Sequence, residues 1–377
     1  MTTATAAARV PFHDLRDLHA LDGLQEELDA AVLRVTRSGR YLLGPELEAF
    51  EEEFAGYCGN DHCVGVGSGL DALELTLRAL GVGAGDEVIV PGHTFVATWL
   101  AVSATGARPV PVEPEADSYL IDPAGVEAAI TPRTRAVMPV HTYGHPVDLD
   151  ALDAVTAPRG IAVVEDAAQA HGARYRGRRI GSRYAAAFSF YPGKNLGALG
   201  DAGAVVTSDG GLADRIRLLR NYGSRVKYRH EEQGTNSRLD EIQAAALRVK
   251  LPRLDAWNAR RRAVADAYAE GLAGLPGITV PGVRGWAEPV WHQYVIRCAG
   301  RDRLRAALTD AGVENLVHYP VAVHRSPAYA GTAHGPLPLS ERLAAEVLSL
   351  PMGPQLTAKD VETVISAVRE ATESSHD

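Results

Sequence analysis

Lysine is almost missing from this chain. Among 38 basic residues only Lys194, Lys227, Lys250 and Lys359 are lysines, and arginine supplies the rest. Arginine carries charge but does not give up its proton, so a lysine kept in such a composition points to a need for an amine. Cysteine is scarce as well. Cys58, Cys63 and Cys298 are odd in number and lack Cys-x-x-Cys spacing, which argues against a disulfide framework and a cysteine metal site and predicts reduced thiols. Positive charge is not in excess either: the net charge of −9 argues against a surface that neutralises nucleic-acid phosphates. No run reaches the roughly 18 apolar residues of a membrane span. The opening residues lack the charged and apolar regions of a secretion signal, so the expected address is the cytoplasm.

What is present is ordinary globular material, 46% hydrophobic and 23% charged, and 377 residues suit one large and one smaller domain. Residues 1–10 and 374–377 read as tails. Between about residues 60 and 210, apolar runs alternate with helical patterns. Cys63–Val66, Glu87–Val90, Arg108–Val112, Ala136–Val140 and Ile161–Val164 read as buried strands. The segment Leu70–Leu80 places Leu70, Leu73, Leu77 and Leu80 on one face, with Gly81 as its stop. This alternation predicts a mainly parallel sheet with helices on both faces. After about residue 236 the pattern changes to long helices over 240–250 and 255–272 and a Pro/Gly-rich stretch over 275–285. A strand over 294–297, a helix over 302–311 and two closing helices complete the chain. The smaller domain is expected to pack against the sheet domain with a cleft between them.

Lys194 lies in Phe188-Ser-Phe-Tyr-Pro-Gly-Lys-Asn-Leu-Gly197, just after the uncharged run Ala185–Phe190. A turn containing Pro192 and Gly193 delivers its amine from the end of a buried strand, where open α/β sheets place their ligand sites. Two other features fall at the same sheet edge. Val64-Gly-Val-Gly-Ser-Gly69 runs from a strand through a Gly-rich turn into a helix, whose free N–H groups suit an anion. Alone it fits a ligand-free turn equally well. Asp166, in Val163-Val-Glu-Asp-Ala-Ala-Gln-Ala-His-Gly172, is a carboxylate at the end of an apolar strand and calls for a cationic partner. A helix N-cap is the other reading, and the motif alone leaves both open. Together, a phosphate cradle, a buried carboxylate, and Lys194 with the Ser189 hydroxyl match what pyridoxal phosphate requires.

The chain resembles the DegT/DnrJ/EryC1 family of nucleotide-sugar aminotransferases from about residue 10 to about 370. The resemblance is carried by Ser38-Gly-Arg-Tyr-Leu-Leu-Gly-Pro45, Gly67-Ser-Gly-Leu-Asp-Ala-Leu73 and Pro91-Gly-His-Thr-Phe-Val-Ala-Thr-Trp99. It continues through Glu165–Gly172, Ser189–Gly197, Arg220-Asn-Tyr-Gly-Ser224 and Asn236-Ser-Arg-Leu-Asp-Glu241. Within the family it looks most like the enzymes that aminate C3 of dTDP-3-keto-6-deoxyhexoses for antibiotic sugars.

The resemblance implies an α/β fold of the aspartate-aminotransferase type (fold type I). It also implies a large pyridoxal-phosphate domain over 11–253 with a mainly parallel seven-stranded sheet, and a smaller α+β domain over 254–377. It further implies a homodimer with shared active sites, L-glutamate as amino donor and a dTDP-keto-deoxyhexose as acceptor. By motif position, Lys194 is the Schiff-base lysine and Asp166 pairs with the pyridine nitrogen. Gln169 lies by the ring hydroxyl and Phe95 stacks on the ring. Ser189 and the Gly69 and Leu70 amides take the phosphate, with Asn236 reaching it from the partner subunit. Many members have Thr at the position of Leu70, so a hydroxyl contact is missing there. Tyr222, His318, Tyr319 and His324 are the candidates for the nucleotide-sugar pocket. The His318/His324 spacing suggests a metal at first sight, but hydrogen-bonded cleft histidines are the expectation, and no metal is expected. Family members that dehydrate or deoxygenate their substrates have His in place of the lysine, so Lys194 argues against that chemistry. Amination at C4, UDP sugars, a non-catalytic regulator and a dinucleotide oxidoreductase are the rival readings. The last is disfavoured because the Gly65-x-Gly67-x-Gly69 spacing is not Gly-x-Gly-x-x-Gly.

Overall fold

A computed structural model describes residues 9–332 and 334–373. Seven strands form the central sheet: β1 (His62–Val66), β2 (Glu87–Pro91), β3 (Arg108–Val112), β4 (Thr134–Val137), β5 (Ala162–Asp166), β6 (Ala185–Ser189) and β7 (Gly203–Thr207). Their order is β1-β7-β6-β5-β4-β2-β3. All run parallel except β7, which pairs antiparallel with both neighbours. Pro109 and Pro111 lack the N–H that a second neighbour would need, and β3 accordingly lies at the edge.

Alternate side chains leave the sheet on opposite faces. Val88 and Val90 of β2 join a core with Val64, Val66, Val205 and the helix Gly69–Ala79. Ile89 goes to the other face, into a core that contains Phe50, Phe54, Phe188 and Phe190. Both faces are therefore dry, as near-continuous apolar strands require.

A third core lies beyond the sheet. It gathers Tyr268, Leu272, Tyr294, Ile296, Leu308, Leu348 and Val364. Its antiparallel sheet has the order β8-β9-β10, from β8 (Ile278–Thr279), β9 (Tyr294–Cys298) and β10 (Val347–Leu350). The helices Leu254–Leu272, Arg301–Asp310 and Ala358–Glu373 contribute to this core. Two details differ from the sequence expectation. The closing helices Pro338–Glu346 and Ala358–Glu373 are separated by β10. Val10, placed in the N-terminal tail, is 2% exposed and bridged to Val313, so the chain is anchored to the third core from that point. The rest of that tail, residues 1–8, and residues 374–377 lie outside the described residues. Among the described residues no helix is long and apolar enough to cross a membrane.

Candidate active site

The ends of β1, β5 and β6 converge on one edge of the sheet. After β1, the chain turns at Gly67-Ser-Gly69 into the helix Gly69–Ala79. Ser68 caps that helix by accepting the Asp71 N–H (3.1 Å), and Ser237 Oγ accepts from Gly67 N (3.0 Å) while donating to Asp71 Oδ2 (2.7 Å). Both glycines flanking this contact zone are required by space. A Cβ at Gly69 would lie 2.5 Å from Ser189 Cβ, and a Cβ at Gly203 would lie 2.3 Å from the Ser68 carbonyl oxygen. The turn thus crosses the start of β7 and sets the first helical N–H groups, those of Gly69 and Leu70, beside Ser189. A free helix N-terminus of this kind is suited to an anion.

Asp166 closes β5 and is buried. Its Oδ2 accepts from Thr98 Oγ1 (2.9 Å) and its Oδ1 from the Ala168 N–H (3.2 Å). A turn follows it rather than a helix, so it does not act as a helix cap. Burial raises its pKa, opposed by those two hydrogen bonds and by the charge of Lys194. Lys194 sits in the connection between β6 and β7, where burial lowers its amine to about 8 against the pull of Asp166. An amine of lowered pKa and a buried carboxylate thus act on each other, each desolvated.

A ring of hydrogen bonds borders this pair. Gln169 Oε1 accepts the Tyr143 N–H (2.6 Å), and Gln169 Nε2 donates to Tyr319 Oη (2.9 Å). The Tyr143 hydroxyl donates to the His318 carbonyl. That leaves His93 Nε2–H, 2.7 Å away, to donate to the Tyr143 oxygen. The Tyr143 backbone itself holds a positive φ of 59°. Residues 318 and 319 of the C-terminal segment are thereby tied to residues of the sheet edge. His318 Nδ1 meets Ser349 Oγ at 2.8 Å, and burial, with Lys194 nearby, lowers its imidazole to about 4. Phe95 stands with its ring 5.5 Å from that of Tyr319 and is 54% exposed, an aromatic face open toward the site.

Three expected residues lie apart from this cluster within the chain. Tyr222 packs against Arg238 and bonds through its backbone to Thr235 and His230. Asn236 is exposed and bridged to Asn221. His324 is buried, but it pairs with Glu341 at 3.1 Å and abuts the His334 ring, so its polar contacts do not face Asp166. Sequence reasoning missed Thr98, Tyr143 and Ser237. Thr98 was within reach, because it stands three residues after Phe95 in an already recognised motif. Tyr143 carries no periodic signal, since its role comes from a loop contact to Gln169.

The residues present fit pyridoxal phosphate: the Gly69 turn is packed so closely on Ser189 that a Cβ would not fit, the carboxylate is buried, and the amine has a lowered pKa. The sequence profile described as the DegT/DnrJ/EryC1/StrS aminotransferase family matches residues 22–369. The chain is 61% identical over 376 residues, 99% of both chains, to dTDP-3-amino-3,4,6-trideoxy-alpha-D-glucose transaminase of Streptomyces venezuelae. It is 62% identical over 363 residues to a protein of Saccharopolyspora erythraea named erythromycin biosynthesis sensory transduction protein EryC1, covering 96% of this chain and 99% of that one. The crystal structure of S. venezuelae DesV in complex with a ketimine intermediate superimposes with a TM-score of 0.95 at 62% identity, covering 97% of this chain and 99% of that one. Geometry, profile and relatives agree: the chain belongs to the DegT/DnrJ/EryC1/StrS family and is a pyridoxal-phosphate-dependent aminotransferase.

Proposed function

We propose that this enzyme moves an amino group from L-glutamate to C3 of a dTDP-3-keto-6-deoxyhexose and so makes a dTDP-3-amino sugar for antibiotic biosynthesis. The observation that carries the reading is the Lys194–Asp166 pair beside the Gly69–Ser189 cradle, in a chain 61% identical to a transaminase named for a dTDP-3-amino sugar.

When bound, pyridoxal phosphate supplies a carbonyl that takes up the amine and a ring that withdraws electron density from the donor's Cα. The protein's own residues do the rest. Ser189 and the Gly69 and Leu70 amides hold the phosphate, and Asn236 of the partner subunit completes that contact. Phe95 would cover one face of the ring and Gln169 would meet its hydroxyl. Asp166 holds a proton at the ring nitrogen; Thr98 and the Ala168 amide keep its carboxylate aimed and favour its charged form. Lys194 would hold the cofactor through its amine and, once the donor amine has taken that place, would carry the donor's Cα proton on Nζ. Its lowered pKa leaves a useful neutral fraction for that task. Tyr222, His318 and Tyr319 are assigned to the sugar-nucleotide pocket, and His324 to its outer wall through Glu341.

The same reading places a large domain over 11–253 and a small one over 254–377, with the site in the cleft between them. It also calls for a homodimer. A set of apolar side chains left exposed on one chain supports it, among them Tyr41, Phe95, Tyr191, Tyr222 and Tyr228, the last 84% exposed. The test is to incubate the protein with 15N-glutamate and a panel of dTDP- and UDP-keto sugars. 15N at C3 of a dTDP sugar is the expected result; 15N at C4 moves the assignment, and none in any sugar favours a regulator. For the shared site, N236A and K194A homodimers are each expected to be inactive. Their mixture should recover up to about half of the per-site activity in each mixed dimer, by two-fold symmetry. No recovery after proven subunit exchange would mean that each site is built from one chain.

A further inference from the structure

The chain has a fully buried lysine that the chemistry above leaves unused. Lys250 ends the helix Glu241–Lys250 and is 1% exposed. Among the described residues it has no carboxylate partner; its Nζ donates to the Gly197 carbonyl (2.8 Å) and to His19 Nε2 (3.1 Å). An ammonium buried without a counter-ion is expensive, and methionine would fill much the same space without that penalty. A compensating role is therefore called for.

What this ammonium holds is the far side of the loop that carries Lys194. The loop is closed by hydrogen bonds from Lys194 N to the Tyr191 carbonyl and from Ala198 N to the Phe190 carbonyl, both 2.8 Å. Just after the lysine, Asn195 Nδ2 donates to Asn258 Oδ1 and the Val290 carbonyl, each at 2.9 Å. Gly197 is wedged against the start of the same loop, since a Cβ there would lie 2.2 Å from the Pro192 oxygen. The short helix Leu15–Ala20, capped by Asp14, straddles the loop. His13, just before it, would lie 4.0 Å from a Cβ on Gly193, and His19 in its last turn seats Lys250. The titratable and charged groups facing Lys250 and this segment are thus His19 and His13, both pushed toward the neutral imidazole by burial, with Asp14 and Arg261.

We propose that Lys250, seated on His19, is a positioning residue for Lys194, fixing the loop from Tyr191 to Ala198 so that Lys194 Nζ stays aimed at Asp166. This rests on the reading of Lys194 as the cofactor lysine. A charged donor suits the task because its bond to a carbonyl is stronger than a neutral one. Fixing the loop also keeps the Lys194 amine in the desolvated surroundings that lower its pKa.

The test compares Lys250→Met, Lys250→Arg and His19→Leu with the parent, using two readouts. In the holoenzyme, K250M is expected to lower kcat by about 10- to 100-fold, with KM for both substrates within about twofold, as a misplacement near 1 Å would do. K250R, which keeps the donor, should recover most of it. In the full chain stripped of cofactor, acetylation of Lys194 by acetic anhydride is followed against pH by mass spectrometry. The parent midpoint is expected near the value of about 8 that burial imposes. In K250M it should rise toward the ordinary lysine value of about 10.4, with a smaller rise in H19L. An unmoved midpoint in K250M and H19L, or a kcat for K250M within twofold of the parent, overturns the proposal. Loss of far-UV CD structure in K250M overturns it too, because the lysine would then be a fold determinant. The acetylation readout needs no turnover, so failure of the sugar assignment is distinguishable from failure of this one.

Discussion

Gly69→Ala is the sharpest probe of the phosphate cradle, because one methyl group tests a contact between two elements. The new Cβ would sit 2.5 Å from Ser189 Cβ, 3.1 Å from Ser189 Cα and 3.2 Å from its Oγ. Carbon pairs rest at about 3.5–4.0 Å, so helix and strand must part by about 1 Å. Neither gives easily, since Ser189 is fixed in β6 and residue 69 opens a helix whose cap is engaged. Overpacking of this kind destabilises by about 1–3 kcal/mol. Unfolding entropy near 2.1 cal/mol/K per residue makes that only about 1–4 °C in Tm for this chain if it unfolds as one unit. Cofactor affinity is therefore the better reporter. Moving the helix N-terminus by about 1 Å should weaken its hold on phosphate by about 1.4–2.8 kcal/mol, a 10- to 100-fold rise in Kd. Titration of pyridoxal phosphate into the stripped protein, read by quenching of tryptophan fluorescence, measures it. The double variant G69A/S189G, which removes the opposing Cβ, should bind no worse than S189G alone, a non-additivity expected of touching residues. A G69A protein with the parent's Kd would refute the close contact and with it the cradle.

Three further outcomes follow from other parts of the structure. Asp166→Asn should fold and retain some cofactor but lose at least about 100-fold in kcat, because an amide cannot hold the ring proton; near-normal turnover would reduce Asp166 to a structural group. Glu241 accepts N–H groups from Gly44, Glu46 and Leu47 at 2.8, 2.9 and 3.1 Å and is buried. Glu241→Ala should therefore destabilise by about 3 kcal/mol, seen as a lower urea midpoint with unchanged m; an unchanged midpoint would show that those amides find other partners. Burial alone would raise the pKa of Glu87, but hydrogen bonds from Arg108, Thr131 and Arg133 bring it down to about 2. The folded value lies below the unfolded one of about 4.3, so this stability is full above about pH 4.3 and is lost as pH falls toward 2. Over that window the urea midpoint of the parent should fall more steeply than that of E87Q, and parallel curves would contradict the assignment.

The sheet was legible because its strands are short and mostly apolar, and six of the seven could be placed from apolar runs whose ends match or shift by up to three residues. β4 shifted most: it ends at Val137, and only an isolated bridge from Val140 to Asp166 continues the run. β7 was not singled out, since Gly203-Ala-Val-Val-Thr207 gives no hint that it runs against its neighbours. β10 was absorbed into the closing helices because its alternation spans only four residues. At the site, Lys194 and Asp166 were legible through chemistry that an apolar strand end makes conspicuous. The ring joining Tyr143, Gln169, Tyr319 and His318 was not, because it is made by pairs 26 to 175 residues apart.

The reversed direction of β7 has a consequence for how Lys194 performs. Strands joined by a parallel crossover leave the sheet into a helix, so their loops are tethered to the sheet at one end only. The chain between β6 and β7 returns to the adjacent strand, and Phe190 bonds to both Ala198 and Ala202 on the way back. The Lys194 amine therefore rides on a mount clamped on two sides, like a tool held between two jaws. Its freedom is confined to the four methylenes of its own side chain. In the role proposed for Lys194, the backbone could stay still while the side chain alone moves. Such a mount should tolerate extensive exchange of the surrounding pocket walls, which makes the substrate-facing residues, rather than the lysine loop, the place to re-engineer sugar choice.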